Sequence, residues 1–203
     1  VTVRVVTPPL VEPVTLAEAR LWCRIDTDDT AQDAVITLLI QAMREYAENL
    51  TQRAYIQRTL ELTLPCFPYR AVELPRAPLQ SVSFIKYIAF DGTLTTIPAA
   101  EYELDTAREP GIVQPAYLES WPGVRDVVNA VQIRYVAGYP EGDGSPSDLR
   151  ANMPAALKVW MQARLSTLFE IREQLVIGAT VTPLPRDFAD GLLDGLRIGN
   201  LFA

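Results

Sequence analysis

The stretch Leu74–Gly92, LPRAPLQSVSFIKYIAFDG, decides the fold of this chain. Pro75 and Pro78 cannot donate to a sheet ladder, so they stop one short strand, Val72–Leu74. From Ser81 to Phe90 the residues alternate. Val82, Phe84 and Lys86 oppose Ser83, Ile85 and Tyr87, the two-residue period of a half-buried strand. Asp91-Gly92 is a type I′ hairpin signal, and Leu94–Ile97 is the return strand.

Working outward, strand patterns continue on both sides. Thr59, Glu61 and Thr63 alternate with Leu60, Leu62 and Leu64. Glu101–Asp105, Gly111–Pro115 and Val127–Val136 follow, with Trp121-Pro122 in a loop. Helix lies outside this region. Thr15 and Glu18 form a capping box that starts a short helix, Leu16 to about Arg24. Asp26, Asp28, Asp29 and Asp33 form a turn and complement the start of the next helix. That helix, about Ala31 to Arg53, carries an apolar stripe of Val35, Ile36, Leu39, Met43, Tyr46 and Leu50, with Arg44, Glu48 and Gln52 on a more polar side. Pro154 suits the first turn of a third helix reaching about Arg172, with Ala155, Val159, Trp160, Ala163, Leu168 and Phe169 on a broad apolar face. Asp187 can cap a short last helix carrying Phe188, Leu192, Leu193 and Leu196. Val1–Val11, with Pro8 and Pro9, is extended, as an arm or an edge strand.

The fold class that follows is α+β. A helical bundle of two N-terminal helices and one long and one short C-terminal helix carries an inserted antiparallel β module. The expected divisions are 1–57, arm and helical hairpin; 58–137, the β module; 138–152, a flexible loop rich in Gly and Pro; 153–172, the helix completing the helical layer; and 173–203, a tail with a short helix.

Bulk properties narrow the function. The 203 residues suffice for one generous or two small domains. A net charge of −7 argues against gripping nucleic acid through the overall field, though it suits a wall along which DNA slides. Of the 18 basic residues only Lys86 and Lys158 are lysine. A GC-rich coding sequence produces that bias by itself, and arginine also suits protein interfaces. No run approaches the ~18 apolar residues of a membrane span, and the first residues lack the order of a signal peptide, so no membrane partner is expected.

Catalysis finds little support. Histidine is absent, which removes the commonest general base and metal ligand. Cys23 and Cys66 read as small core hydrophobes rather than a zinc site or a disulfide. Counted from Asp26, the EF-hand pattern wants Gly and Glu where Ala31 and Thr37 stand. Glu101, Glu103, Asp105 and Glu109 could supply a glycosidase pair, but alternating acids read as the wet face of a strand. Ser–Lys chemistry at Lys86 or Lys158 has no supporting pattern. Trp22 and Trp160 are expected in helix packing and Trp121 half-exposed, not in one binding platform. No catalytic residue, cofactor or metal is assigned. The dense apolar chain end, Leu192, Leu193, Leu196, Ile198, Leu201 and Phe202, fits either docking on the chain's own core or insertion into a groove of another subunit.

One family joins these pieces. The chain resembles the head–tail connector (adaptor) proteins of long-tailed phages and prophages. The resemblance rests on Pro13–Ala19 opening the first helix, the Arg24-Ile25-Asp26 turn, Asn49–Arg53 ending the long helix, Leu74–Val82, Pro115-Ala116-Tyr117 with Ser120-Trp121-Pro122, and Tyr135–Tyr139. It spans roughly Pro13 to Arg172, and Glu173–Ala203 departs from it in being longer and more apolar. The resemblance implies a structural subunit of a dodecameric ring, assembled in the host cytoplasm and located in the virion neck. Such a ring sits between the portal protein and a stopper or tail-completion protein. Genome DNA passes through its channel without specific binding. It also implies that the apolar chain end is the portal-interface candidate. The alternatives are a stopper or tail-completion protein, and a carbohydrate-binding or hydrolytic β module.

Overall fold

The computed structural model describes residues 2–26, 28–142, 149–170 and 191–199. It has two compact units, one comprising residues 1–10 and 52–151, the other 11–51 and 152–203. The class is mixed α+β, with antiparallel strands in the first unit and helices in the second.

The first unit contains eight strands among the described residues: β1 (Thr2–Thr7), β2 (Arg58–Leu64), β3 (Val72–Leu74), β4 (Leu79–Ile88), β5 (Leu94–Ile97), β6 (Tyr102–Asp105), β7 (Gly111–Pro115) and β8 (Val131–Ala137). They form a five-stranded sheet ordered β1-β2-β8-β4-β5 and a three-stranded sheet ordered β3-β7-β6. Every pairing is antiparallel. The N-terminal residues are thus an edge strand, and they belong with the β unit rather than with the helical hairpin. The inward faces of both sheets feed one apolar cluster. Leu60, Leu62 and Leu64 of β2 meet Val131, Ile133 and Tyr135 of β8, Ile85 of β4, Leu74 of β3 and Val113 of β7. Strict alternation on β2 and β8 sends these side chains inward and leaves their neighbours facing out. Within the core the Tyr135 hydroxyl donates to the Pro75 carbonyl at 2.9 Å, and burial pushes its ionisation upward.

Two local expectations change. The β4–β5 hairpin is not a type I′ turn, which needs positive φ at both central residues. Gly92 has φ +92, but Asp91 is not in that region. The Gly92 amide donates to the Ala89 carbonyl, and the Ala89 amide to that of Thr93. This is the three-residue loop in which a glycine follows a type I turn. The Asp91 carboxylate accepts from the Thr93 amide and hydroxyl, fixing the loop. Second, the alternation along β4 breaks at a bulge between Val82 and Phe84. One extra residue reverses the faces, so Val82 joins Ile85 and Tyr87 on the core side, while Phe84 and Lys86 turn outward.

The presumed flexible stretch starting at Gly138 begins tightly held. Gly138, at φ +130, lies against the Ile56–Gln57 backbone, where a Cβ would sit 2.6 Å from main-chain atoms. Its amide donates to Pro78, its carbonyl accepts from Gln80, and Tyr139 stacks on Tyr55. Residues 143–148 lie outside the described residues.

The helical unit contains α1 (Leu16–Trp22), α2 (Asp33–Thr51), α3 (Ala155–Glu170) and α4 (Gly191–Asp194). The capping box forms as expected, with the Thr15 amide donating to Glu18 at 2.8 Å and the Glu18 amide to the Thr15 hydroxyl at 3.2 Å. Glu18 also accepts from Lys158 at 2.6 Å, so the cap of α1 ties that helix to α3. Arg20 binds Asp33 through two donors, joining α1 to the start of α2.

The buried stripes of α2 and α3 are rotated from the expected ones. On α2 the buried residues are Ile36, Ile40, Arg44, Ala47, Glu48 and Thr51, whereas Val35 and Tyr46 are exposed. On α3 they are Leu157, Trp160, Met161 and Leu165, whereas Val159 and Leu168 are exposed. The reason on α2 is an ion cluster that periodicity alone does not anticipate. Arg44 donates to Glu48 at 3.0 Å and to Glu12 at 2.7 Å, so the charges enter the core paired. Burial would lower the Arg44 ionisation, but Glu12 and Glu48 outweigh it and keep the guanidinium charged.

Removing one partner of this buried cluster leaves the other uncompensated. Arg44→Met should therefore cost about 3 kcal/mol or more in chemical denaturation, and Arg44→Met with Glu48→Leu should recover much of that loss. In the β unit, Glu61 is fully buried between Arg4 and Arg134. Burial alone would raise its carboxyl, but hydrogen bonds and charges from Arg134 and Arg4 hold it below the ordinary range. A depressed folded value stabilises above the unfolded value and is lost as pH falls through the folded one. Glu61→Gln should thus cost about 1–3 kcal/mol in urea unfolding at neutral pH, and the difference from wild type should vanish in acid.

Candidate interaction surfaces

No group of three or more His, Cys, Asp or Glu side chains is placed to hold a metal among the described residues. No helix among them is long and apolar enough to cross a membrane. Three of the four acids considered for a glycosidase pair are engaged elsewhere. Glu109 is clamped by both terminal nitrogens of Arg53, whose hydrogen bonds outweigh burial and hold the carboxyl below its usual range. It is therefore a structural ion-pair partner, not a member of a wet strand face. Asp105 accepts the amides of Ala107 and Arg108, and Glu103 faces Gln114 at 3.5 Å. Both lysines have partners, Lys158 donating to Glu18 and Lys86 lying over the Phe84 ring at 4.4 Å.

The tryptophans divide as well. Trp160 is buried and stacks on Tyr46, and Trp121 stacks on Phe67 and donates to the Arg70 carbonyl. Trp22 is 45% exposed, contrary to the expected packing role, because the buried side of α1 is the one carrying Ala19. Cys66 is exposed in the loop after β2 and so is no core residue, while Cys23 is half-buried with its thiol pushed up by burial.

The helical unit also exposes large apolar side chains. Val35, Leu38 and Tyr46 follow one another at three- and eight-residue steps on α2, one side of the helix, and Leu38 is 66% exposed. Leu21 on α1 and Val159 on α3 are likewise open. The chain end is partly committed elsewhere. Leu193 is fully buried, α4 packs on α3 and α2, and the Ile198 amide donates to the Thr51 carbonyl. Leu192, Leu196 and Ile198 are half-buried. Leu201 and Phe202 lie outside the described residues, as does the stretch 171–190 with Asp187 and Phe188.

On the β unit the outward face of the five-stranded sheet carries a charged row in register. Arg4 of β1, Glu61 of β2, Arg134 of β8 and Phe84 of β4 stand opposite one another across four strands. Arg4 and Arg134 both donate to the Glu61 carboxylate, and Arg134 also lies over Phe84 at 4.8 Å. Composition and spacing could not have revealed this row, since it is a product of strand register, and the place of Phe84 in it depends on the β4 bulge.

Comparison with known proteins now bears on these surfaces. Residues 13–98 match the family of phage gp6-like head–tail connector proteins. No curated protein matches the chain. Three solved chains share its fold over 100% of its length and 98% of theirs. One is from the neck of an empty gene transfer agent particle with C6 symmetry, at 22% identity and a TM-score of 0.77. The second is from the virion of a native gene transfer agent particle, at 21% and 0.74. The third is from the neck of the native particle with C12 symmetry, at 22% and 0.69. The segment that matches the head–tail connector family covers α1, α2 and strands β2 to β5, and the fold as a whole is shared with chains from gene transfer agent particles.

Proposed function

We propose that this chain is a head–tail connector, a ring-forming adaptor in the neck of a phage or phage-like particle, set between the portal and the stopper or tail-completion protein. The observation that carries the reading is the open apolar side of α2, at Val35, Leu38 and Tyr46. Tyr46 also stacks on Trp160, but Val35 and Leu38 are left open, and a ring subunit needs two unlike faces to meet its neighbours. The fold shared with chains from C6- and C12-symmetric neck structures supports a ring, and twelve copies are the stoichiometry we favour. A net charge of −7 suits a channel that lets DNA slide without holding it. Since Leu193 serves the helical core, we assign portal contact to the rest of the apolar chain end: Leu192, Leu196, Ile198, Leu201 and Phe202.

Two outcomes test this. Leu38→Glu should leave thermal stability nearly unchanged, as surface substitutions do, yet prevent ring formation in native mass spectrometry with the portal present. Truncation after Gly199 should leave the fold intact and abolish portal docking in a pull-down. Rings from Leu38→Glu, or docking by the truncated chain, would overturn the corresponding assignment.

A further inference from the structure

The β unit carries opposite charge on its two outward faces. On the five-stranded sheet the outward residues include Arg4, Arg134 and Lys86 against one carboxylate, Glu61. The charged strand residues of that face sum to +2, in a chain of net charge −7. Glu61 is itself enclosed, whereas the Arg4 side chain is 66% exposed and that of Arg134 33%. The face therefore presents guanidinium and ammonium groups to solvent, framed by Thr59, Thr63 and Gln132.

The three-stranded sheet is the reverse. Val72, Leu74 and Val113 point into the shared core, so Glu73, Glu103 and Asp105 point away from it. Arg108 offsets them in part, through its bond to Glu73 at 3.1 Å. Together these four groups sum to −2. Glu103 and Asp105 are exposed and lie on β6, the edge strand of that sheet.

We infer that these two faces bind each other between neighbouring copies of this chain. The basic face of one β unit would receive the acidic face of the next. Two copies cannot satisfy this as a symmetric pair, because a two-fold contact sets each face against itself and brings like charges together. A head-to-tail contact sets unlike faces together and propagates, closing where the rotation allows. The inference rests on the ring proposed above and adds to it a contact in the β unit, distinct from the apolar one on α2. Charge complementarity of this kind favours the right partner and register more than it adds affinity.

The test reverses each face with a pair of directly opposed residues. Lys86 faces Gln132 and Glu103 faces Gln114 in the strand registers. Lys86→Glu with Gln132→Glu makes the first face acidic, and Glu103→Lys with Gln114→Lys makes the second basic. In the full-length chain each double variant should weaken ring association at least tenfold by native mass spectrometry, and the quadruple variant should restore it. Raising sodium chloride should weaken wild-type association, a readout that needs no variant. Wild-type rings that ignore salt, or either double variant assembling as wild type does, would overturn the contact and leave the ring reading standing. Failure of the wild type to form rings even with portal would instead overturn the ring reading. Loss of duplex-DNA binding in the Lys86→Glu and Gln132→Glu variant, with assembly unchanged, would overturn the contact and assign the basic face to nucleic acid.

Discussion

The antiparallel pairing of β2 with β8 is the constraint on which the β unit depends. It joins residues 58–64 to residues 131–137 over seven consecutive partners. A closure of that sequence separation carries a large entropic penalty that only extensive burial offsets. The burial is visible. Leu60, Leu62 and Leu64 line up with Val131, Ile133 and Tyr135, and all are almost wholly enclosed. β1 adds to the outer edge of β2, and β4 adds to the free side of β8. The smaller sheet then covers the same apolar cluster from β3 and β7.

That pairing also explains how a carboxylate comes to lie buried at the middle of a sheet. Glu61 stands opposite Arg134 on one side and Arg4 on the other, so neighbouring strands supply its partners at the register the apolar residues already require. In the helical unit the same solution recurs in another geometry. Arg44 reaches Glu48 one turn away and Glu12 from the preceding segment. In both units a charge is enclosed only with its partners in hand.

Much of this was legible from residue order. The capping box at Thr15 and Glu18, the alternation from Thr59 to Leu64, and the prolines at 75 and 78 each act through local geometry, which sequence expresses directly. Helix faces were less legible. α2 has apolar residues on more than one side, so spacing proposes a stripe through Val35 and Tyr46 as readily as one through Ile36 and Ile40. The choice is made by what lies against the helix, including the ion cluster at Arg44. The bulge in β4 is a further case, since nothing in VSF announces that one residue there has no partner. The charged row on the five-stranded sheet was illegible for the same reason: it is a product of register. The apolar chain end was legible as chemistry, but not in how its residues divide, with Leu193 in the helical core and the Ile198 backbone on the end of α2.

The adjacency of β2 and β8 has a consequence for how such a chain can be rebuilt. Arg58 and Ala137 are register partners, so the inserted module leaves the chain almost where it began. Everything between them can be exchanged for another module whose first and last strands are antiparallel neighbours, provided the edge strand at Thr2–Thr7 is matched or trimmed with it. The insertion therefore has the geometry of a cassette. A lineage could exchange this module while inheriting the helices unchanged.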